Sequence, residues 1–364
     1  MIKKKILIAS GGSGGHIFPG YSLANYYKNK NFSVEFTTDK RGIKYLRNYK
    51  NLNLIIIPSS PLAKKNFLKL IFSIFYIAFS IMKSLKYLLF NRPSIIFGMG
   101  GYSSFPICIA AYILRIKFVI YENNLIIGKA NKFLLPFANK LFVSYKEIEG
   151  IPEKYSNKVK VLGNIVRKEI MDFNFSYKKK DYDSIRILVL GGSQAAKIFA
   201  QELPQIFEKL NNKFKTKIKI FQQCHRDQNA QLSEFYERFK IEHEIFNFTN
   251  EIINYYHKAN LVITRSGASA LGELINYNIP FISIPLPTSA DNHQYKNAEF
   301  YAKKGFGFFL NQKDIKDNLY DLIDKIFNDK SLIDTLLTNQ RQHSDKDIFD
   351  SLNLQIEKIL DEKN

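Results

Sequence analysis

Residues Lys5 to His16 read KILIASGGSGGH, and residues Ile185 to Gln194 read IRILVLGGSQ. Each is a short β-branched apolar run that stops at glycines. An apolar run of this length ending in a glycine turn reads as a buried parallel strand feeding a helix. Outward from the first stretch, similar runs recur at Ser33–Thr37, Leu54–Pro58, Ser94–Gly98, Phe118–Tyr121 and Leu141–Ser144, with helix-like segments between them. Pro19 suits the first turn of the helix after the glycines. From the second stretch, further strands read at Ile218–Gln222, Leu261–Thr264 and Phe281–Pro285. Strands alternating with helices imply parallel sheets covered on both faces. The opening occurs twice, about 180 residues apart, which implies two Rossmann-like α/β domains and not a solenoid.

The chain has 364 residues, 46% of them apolar, which suits two domains with ordinary cores. The charged stretch around Lys178-Lys179-Lys180 reads as a linker. We expect an N-terminal domain over 1–164, a C-terminal domain over 165–343, and a helical tail over 344–364 that packs back on the first. Basic residues at the extreme N-terminus precede only a strand-length apolar run, too short for a signal-peptide core.

Lys and Arg number 53 against 33 Asp and Glu, a net charge of +20. Such an excess favours anionic partners, whether nucleic acid, anionic lipid or phosphorylated substrate. A lysine-rich composition on solvated faces gives the same number, and no nucleic-acid recognition motif accompanies it. Two distant cysteines, Cys108 and Cys224, and six scattered histidines form no disulfide framework and no metal-ligand spacing. Leu70 to Met82 is apolar and uncharged, short of the roughly 20 residues that span a bilayer. Lys64, Lys65, Lys69, Lys83 and Lys86 flank it, and Phe72, Phe75, Tyr76 and Phe79 recur at helical spacing. This reads as an interfacial helix on anionic lipid, with Arg115, Lys117 and Lys140 extending its basic rim, or as a buried helix of the first domain.

The first glycine loop admits three chemistries. A dinucleotide fingerprint needs Gly at position 17, where Ile17 stands, although Asp39 does follow the second strand as a ribose-binding acid would. A nucleophile elbow at Ser13 lacks evident triad partners and comes too early in the sheet. A backbone cradle fits best: glycines admit close approach of a ligand, and the following helix start favours anionic oxygens. His16, just behind, exchanges a proton near neutral pH. A tight strand-to-helix turn with a capping histidine has the same local sequence.

Further motifs narrow the reading. GGSGGHIFPG (Gly11–Gly20), GMGGYSSFP (Gly98–Pro106), YENNLIIGKANK (Tyr121–Lys132), GNIVRKE (Gly163–Glu169), GGSQAAKIF (Gly191–Phe199), TRSGASALGEL (Thr264–Leu274) and PLPTSADNHQYKNAEF (Pro285–Phe300) occur in this order. Together they resemble the signature loops of the MurG family of inverting glycosyltransferases. The resemblance implies a GT-B fold, two Rossmann-like domains facing a cleft. It implies transfer of GlcNAc from UDP-GlcNAc to the muramyl C4 hydroxyl of lipid I, giving lipid II in peptidoglycan synthesis. It also implies peripheral attachment to the cytoplasmic face of the inner membrane, other cell-wall enzymes as partners, and no metal or other cofactor. The alternatives are a GT-B transferase with another nucleotide sugar or lipid acceptor, and a non-catalytic protein that binds nucleotide and membrane.

Carried onto this chain, the resemblance puts Ser193, Arg167 and Arg265 near the diphosphate, with the helix start Ala268, Ser269, Ala270, Leu271, Gly272 and Glu273. Glu273 would take the ribose hydroxyls, Gln294 and His293 the sugar, and Thr249 the uracil. Ser13, Gly14, Gly15, Tyr102 and Asn124 would reach the substrates from the first domain. His16 and Glu122 are both candidates for the general base, with His16 slightly favoured. Tyr121, Asn123 and Ala195 depart from the family's usual His, Gln and Gly.

Overall fold

The computed structural model describes residues 4–47, 52–61, 67–172, 184–192, 196–214 and 218–362. The chain divides into two compact units, one formed by residues 1–167 with 345–364, the other by 168–344.

In the first unit, strands β1 (Lys5–Ala9), β2 (Ser33–Thr38), β3 (Asn53–Ile56), β4 (Ile95–Gly98), β5 (Phe118–Glu122), β6 (Lys140–Val143) and β7 (Val159–Val161) form one parallel sheet in the order β3-β2-β1-β4-β5-β6-β7. The central strands are apolar throughout because helices cover both faces. Ile6, Leu7, Ile8, Ile96, Phe97, Val119 and Ile120 are all buried. Strand order reverses between β1 and β4, where Ala9 pairs with Gly98. Both strands end there in glycine loops. Outside such a switch point, at the carboxyl ends of the strands, α/β sheets leave a crevice.

The tail of the chain belongs to this unit. Helix Ile348–Asp361 stacks Phe349 on Tyr26 at 4.9 Å, and Tyr26 donates to Asp350 at 2.9 Å. Lys117 Nζ donates to the carbonyl of Ile359 at 2.8 Å and to that of Glu362, closing the helix's C-terminal end. Lys117 is thus spent on the fold and does not extend a basic rim.

The second unit repeats the plan. Strands β8 (Ile185–Leu190), β9 (Ile218–Gln223), β10 (Glu242–Phe246), β11 (Leu261–Thr264), β12 (Phe281–Ser283) and β13 (Phe308–Phe309) run parallel in the order β10-β9-β8-β11-β12-β13. Its switch point lies between β8 and β11, where Leu190 pairs with Thr264. Its core joins Ile187, Val189, Phe199, Phe207, Tyr236, Ile263 and Leu319.

Three strands go beyond the sequence reading: β7, β10 and β13. All are outermost in their sheets. β7 and β10 carry charged residues and are largely unburied, so they lack the apolar run that betrays a central strand, and β13 is only two residues long.

Helix Gly14–Asn29 begins five residues before Pro19, which sits inside it. The apolar stretch at Leu70–Met82 is likewise only part of a 24-residue helix, Phe67–Phe90, long and apolar enough by length and composition to cross a membrane. It packs along helix Gly101–Ile113. Its buried face is Ser73, Ser80, Ser84 and Leu88, whereas Phe72 and Phe75 are 72% and 71% exposed and Phe79 is also exposed. The buried-helix alternative is therefore overturned. The serine hydroxyls donate back to the carbonyls of Lys69, Tyr76 and Ser80 at 2.7–2.8 Å, so small, internally satisfied side chains form the packed face.

Candidate functional site

In the first unit the site is built at the β1/β4 switch point. Gly12, at φ 80°, turns the chain out of β1. Ser13 then caps the helix from the backbone, its carbonyl accepting from the N–H groups of His16 and Ile17 at 3.2 Å each. Gly14, Gly15 and His16 form the first turn. His16 lies against the second glycine loop. A Cβ at Gly100 would come 3.1 Å from its Cε1, and one at Gly101 would come 3.3 Å from its Cδ2. Both glycines have positive φ, so each supplies a left-handed turn and the space the imidazole occupies. Tyr102 follows, partly exposed, at the start of helix Gly101–Ile113.

Pro19 has a consequence here. It lacks the N–H that would return to the carbonyl four residues earlier, that of Gly15. Asn123 Nδ2 donates to this oxygen at 3.3 Å. The Asn123 amide thus links the loop after β5 to the glycine loop.

Glu122, the last residue of β5, is 3% exposed. Its Oε1 accepts from Asn124 N at 3.1 Å and Asn124 Nδ2 at 2.8 Å, and its Oε2 from Gly128 N at 2.9 Å and Asn131 Nδ2 at 3.0 Å. Four donors on one buried carboxylate hold the loop 123–131 and occupy the lone pairs that a proton acceptor needs. Asn124 accordingly directs its amide inward.

Tyr121, where the family resemblance leads one to expect a histidine, acts as a strut. Its hydroxyl donates to the Gly163 carbonyl at 3.0 Å, accepts from Ile165 N at 3.0 Å, and lies 3.0 Å from Ser144 Oγ. Burial pushes this phenol well above its ordinary value. Asn164 donates to Asp345 at 3.0 Å beside it, so the two ends of this unit's chain near the boundary are tied. Arg167 lays its guanidinium over the Phe18 ring at 4.4 Å.

In the second unit, Gly192 turns out of β8 at φ 78°. Ser193 and Ala195 lie outside the described residues. After β11, helix Ala268–Tyr277 starts with Gly267 as its cap. The N–H groups of Ala268, Ser269 and Ala270 head this helix, where intrahelical partners are lacking. Leu271 N returns to the Gly267 carbonyl at 3.0 Å, and the Leu271 side chain is core. Gly272 and Glu273 are buried, and Tyr256 donates to Glu273 Oε2 at 3.3 Å.

Arg265 is buried against Phe199. Its Nη1 donates to the carbonyls of Ile284 and Pro285 at 3.2 and 3.1 Å, and its Nη2 to Gln312 at 2.7 Å. Burial pulls its pKa down to about 10, so the cation persists at neutral pH. Its hydrogen bonds tie the loop after β11 to the segments that follow β12 and β13.

The loop after β12 carries two consecutive left-handed residues, Asp291 and Asn292, at φ 50° and 57°. Backbone strain of this kind collects at functional sites. It leads directly into His293 and Gln294, the first turn of helix His293–Lys303. His293 Nδ1 lies 2.7 Å from the Ala290 carbonyl, and Gln294 Oε1 accepts from Leu286 N at 2.9 Å. Thr249 Oγ1 accepts from Glu251 N at 2.9 Å, capping the turn before helix Ile252–Lys258. The sequence reading passed over its neighbour Phe248, which is an exposed aromatic.

Residues 6–143 match the family model described as the glycosyltransferase family 28 N-terminal domain, and residues 186–352 match the family 28 C-terminal domain. A Pelagibacter ubique (strain HTCC1062) protein named UDP-N-acetylglucosamine–N-acetylmuramyl-(pentapeptide) pyrophosphoryl-undecaprenol N-acetylglucosamine transferase is 37% identical, over 99% of this chain and 100% of its own. A protein of the same name from Rickettsia felis is 36% identical, over 91% and 93%. Among solved structures, Acinetobacter baumannii MurG matches with a TM-score of 0.74 at 21% identity, covering 98% of this chain and 99% of its own. The S. aureus MnaA–UDP structure matches at 0.70 and 16%, covering 99% of each chain. At those identities the structural likeness speaks for the fold alone.

Proposed function

The chain belongs to glycosyltransferase family 28 and, within it, to the MurG transferases, and from that premise we propose how its residues carry GlcNAc from UDP-GlcNAc to lipid I. The observation that carries the reading is the full-length match to the Pelagibacter transferase. The muramyl C4 hydroxyl attacks the anomeric carbon of the donor. A new C–O bond forms as the bond to UDP breaks, the configuration inverts from α to β, and UDP departs with the bonding pair.

His16 takes the hydroxyl proton. In support, the rival carboxylate of Glu122 is filled by four donors, while His16 stands on the first turn after the glycine loop. Ser13, Gly14, Gly15 and Tyr102 line the acceptor side. The N–H groups of Ala268, Ser269 and Ala270 meet the diphosphate as its charge grows, an arrangement that needs no reorganisation during the step. Glu273 takes the ribose hydroxyls, Thr249 borders the uracil, and His293 with Gln294 holds the sugar. Ser193 and Arg167 complete the anion's surroundings.

The acceptor is lipid-linked, so the enzyme works at a membrane surface. Helix Phe67–Phe90 inverts the usual polarity of a surface helix, with serines packed inward and aromatic side chains outward. Phe72, Phe75 and Phe79, with the exposed Lys69 and Lys83, form a peripheral anchor to anionic lipid on the cytoplasmic face.

The test is UDP release from UDP-GlcNAc by the purified protein, with and without a short-chain lipid I analogue. Release that depends on the acceptor is expected. Binding of UDP-GlcNAc without release would point to a different acceptor or a binding role.

A further inference from the structure

We propose that Asp39 is a positioning residue for the transfer: its carboxylate, buried beneath the first glycine loop, fixes where the helix that bears His16 begins. The inference rests on the reading of His16 as proton acceptor.

In a dinucleotide-binding Rossmann unit, the acid after the second strand reaches outward to ribose hydroxyls. Asp39 occupies that place, one residue past β2, but is 2% exposed and turned inward. Its Oδ1 accepts from Gly12 N at 3.1 Å and from Gly42 N at 2.9 Å. Its Oδ2 accepts from Arg41 Nε at 2.9 Å, Arg41 Nη2 at 2.6 Å and Ser59 Oγ at 2.8 Å. These five contacts leave little capacity for a ribose and join the loop after β1 to the turn after β2. Burial alone would raise the carboxyl's pKa, but the donors from Arg41, Ser59, Gly12 and Gly42 outweigh it and hold it below the ordinary value.

The glycines show how closely the two segments fit. A Cβ at Gly11 would lie 3.1 Å from Asp39 Oδ1 and 2.7 Å from the Ser103 side chain. A Cβ at Gly42 would collide with Thr38 Oγ1 and lie 3.3 Å from Gly11 Cα. From the clamped Gly12 the chain runs through Ser13 directly into the first turn, with Ser13 N returning to the Gly11 carbonyl at 3.1 Å. At the far end of that turn the imidazole fills the narrow space over Gly100 and Gly101. A shift of a few tenths of an ångström at Gly12 is therefore passed to a ring with little room, and misplacement of about 1 Å in an active site costs on the order of a hundredfold in rate.

The first test needs neither a variant nor activity. In the full-length wild-type protein, amide hydrogen exchange at Gly12 should be about a hundredfold slower than for an unprotected amide. Exchange at the unprotected rate overturns the proposal. The second test uses Asp39→Ala and Asp39→Asn with UDP-GlcNAc and a short-chain lipid I analogue. Asp39→Ala should lower kcat about tenfold or more and leave KM for UDP-GlcNAc within about twofold. Asp39→Asn, which keeps an oxygen for Gly12 but sets an NH2 against Arg41, should recover part of the loss. In a His16→Ala background, Asp39→Ala should add little, because residues acting through one group are not additive. Full additivity, a loss seen mainly in KM, or equal loss in the Asn and Ala variants overturns the proposal. If His16→Ala alone leaves kcat unchanged, the reading of His16 fails, and Gly12 exchange alone decides whether Asp39 holds the loop.

Discussion

Glu122 and His16, the two general-base candidates, stand in quite different surroundings. Removing an imidazole that accepts the proton in the transition state costs about 10²–10⁴ in rate. His16→Ala should therefore lower kcat by that order with little change in UDP-GlcNAc affinity, as steady-state kinetics beside a binding isotherm would show. Glu122→Gln replaces a charged acceptor of four hydrogen bonds by a group that itself donates. The first unit should lose about 1–3 kcal/mol, read as a lower midpoint in denaturant. For Asp39 the sign of the pH effect follows from its lowered pKa. Its contribution is complete above the ordinary carboxylate range and disappears only as pH falls through the lower, folded value. Protection of Gly12 should accordingly persist to mildly acidic pH and then collapse. Sequence shows that Asp39 follows a strand, which suggests an outward ribose ligand. It does not show the inward turn, because Arg41 and Ser59 meet the carboxylate only once the loops have folded over it.

At the scale of elements, helix Phe67–Phe90 invites a direct measurement. Each exposed phenylalanine that enters the lipid interface contributes about 2 kcal/mol of apolar burial. Phe72→Glu with Phe75→Glu should weaken binding to vesicles containing anionic lipid by at least tenfold in a sedimentation assay, with UDP release from a soluble acceptor analogue retained. Added salt should weaken the wild-type interaction only in part, since the lysine contribution is screened and the aromatic one is not. Periodicity located the core of this helix at Leu70–Met82 but not its ends, since Lys83 and Lys86 read as a boundary. On a helix those lysines project to solvent and interrupt nothing. Pro19 misled in the same way: it reads as a helix start, yet the backbone tolerates it at the sixth position because Asn123 takes up the carbonyl it leaves unpaired.

For the whole molecule, the division into two units predicts separable ligand effects. A ligand that binds only the folded state adds about 2.7 kcal/mol at a hundredfold excess over its Kd. UDP should raise the melting temperature and slow amide exchange in residues 261–277 while leaving the sheet of residues 1–167 nearly unchanged. Equal protection of both units would contradict the assignment of the nucleotide to residues 168–344. The repeat of an apolar run ending in glycines, at Lys5 and again at Ile185, was enough to establish two parallel α/β units, because a central parallel strand must be apolar on both faces and that is a local property of sequence. The ordered glycine motifs likewise marked the turns that follow β1, β4 and β8 at the switch points of the two sheets. Tertiary structure alone decided which polar groups are already satisfied, which face of the Phe67–Phe90 helix stays outside, and which weakly apolar segments become edge strands. Burial, and the bonds from Gly12 and Ser59 to Asp39, depend on neighbours distant in the chain, and even the donors to Glu122, two to nine residues away, meet it only once their loop has folded around it.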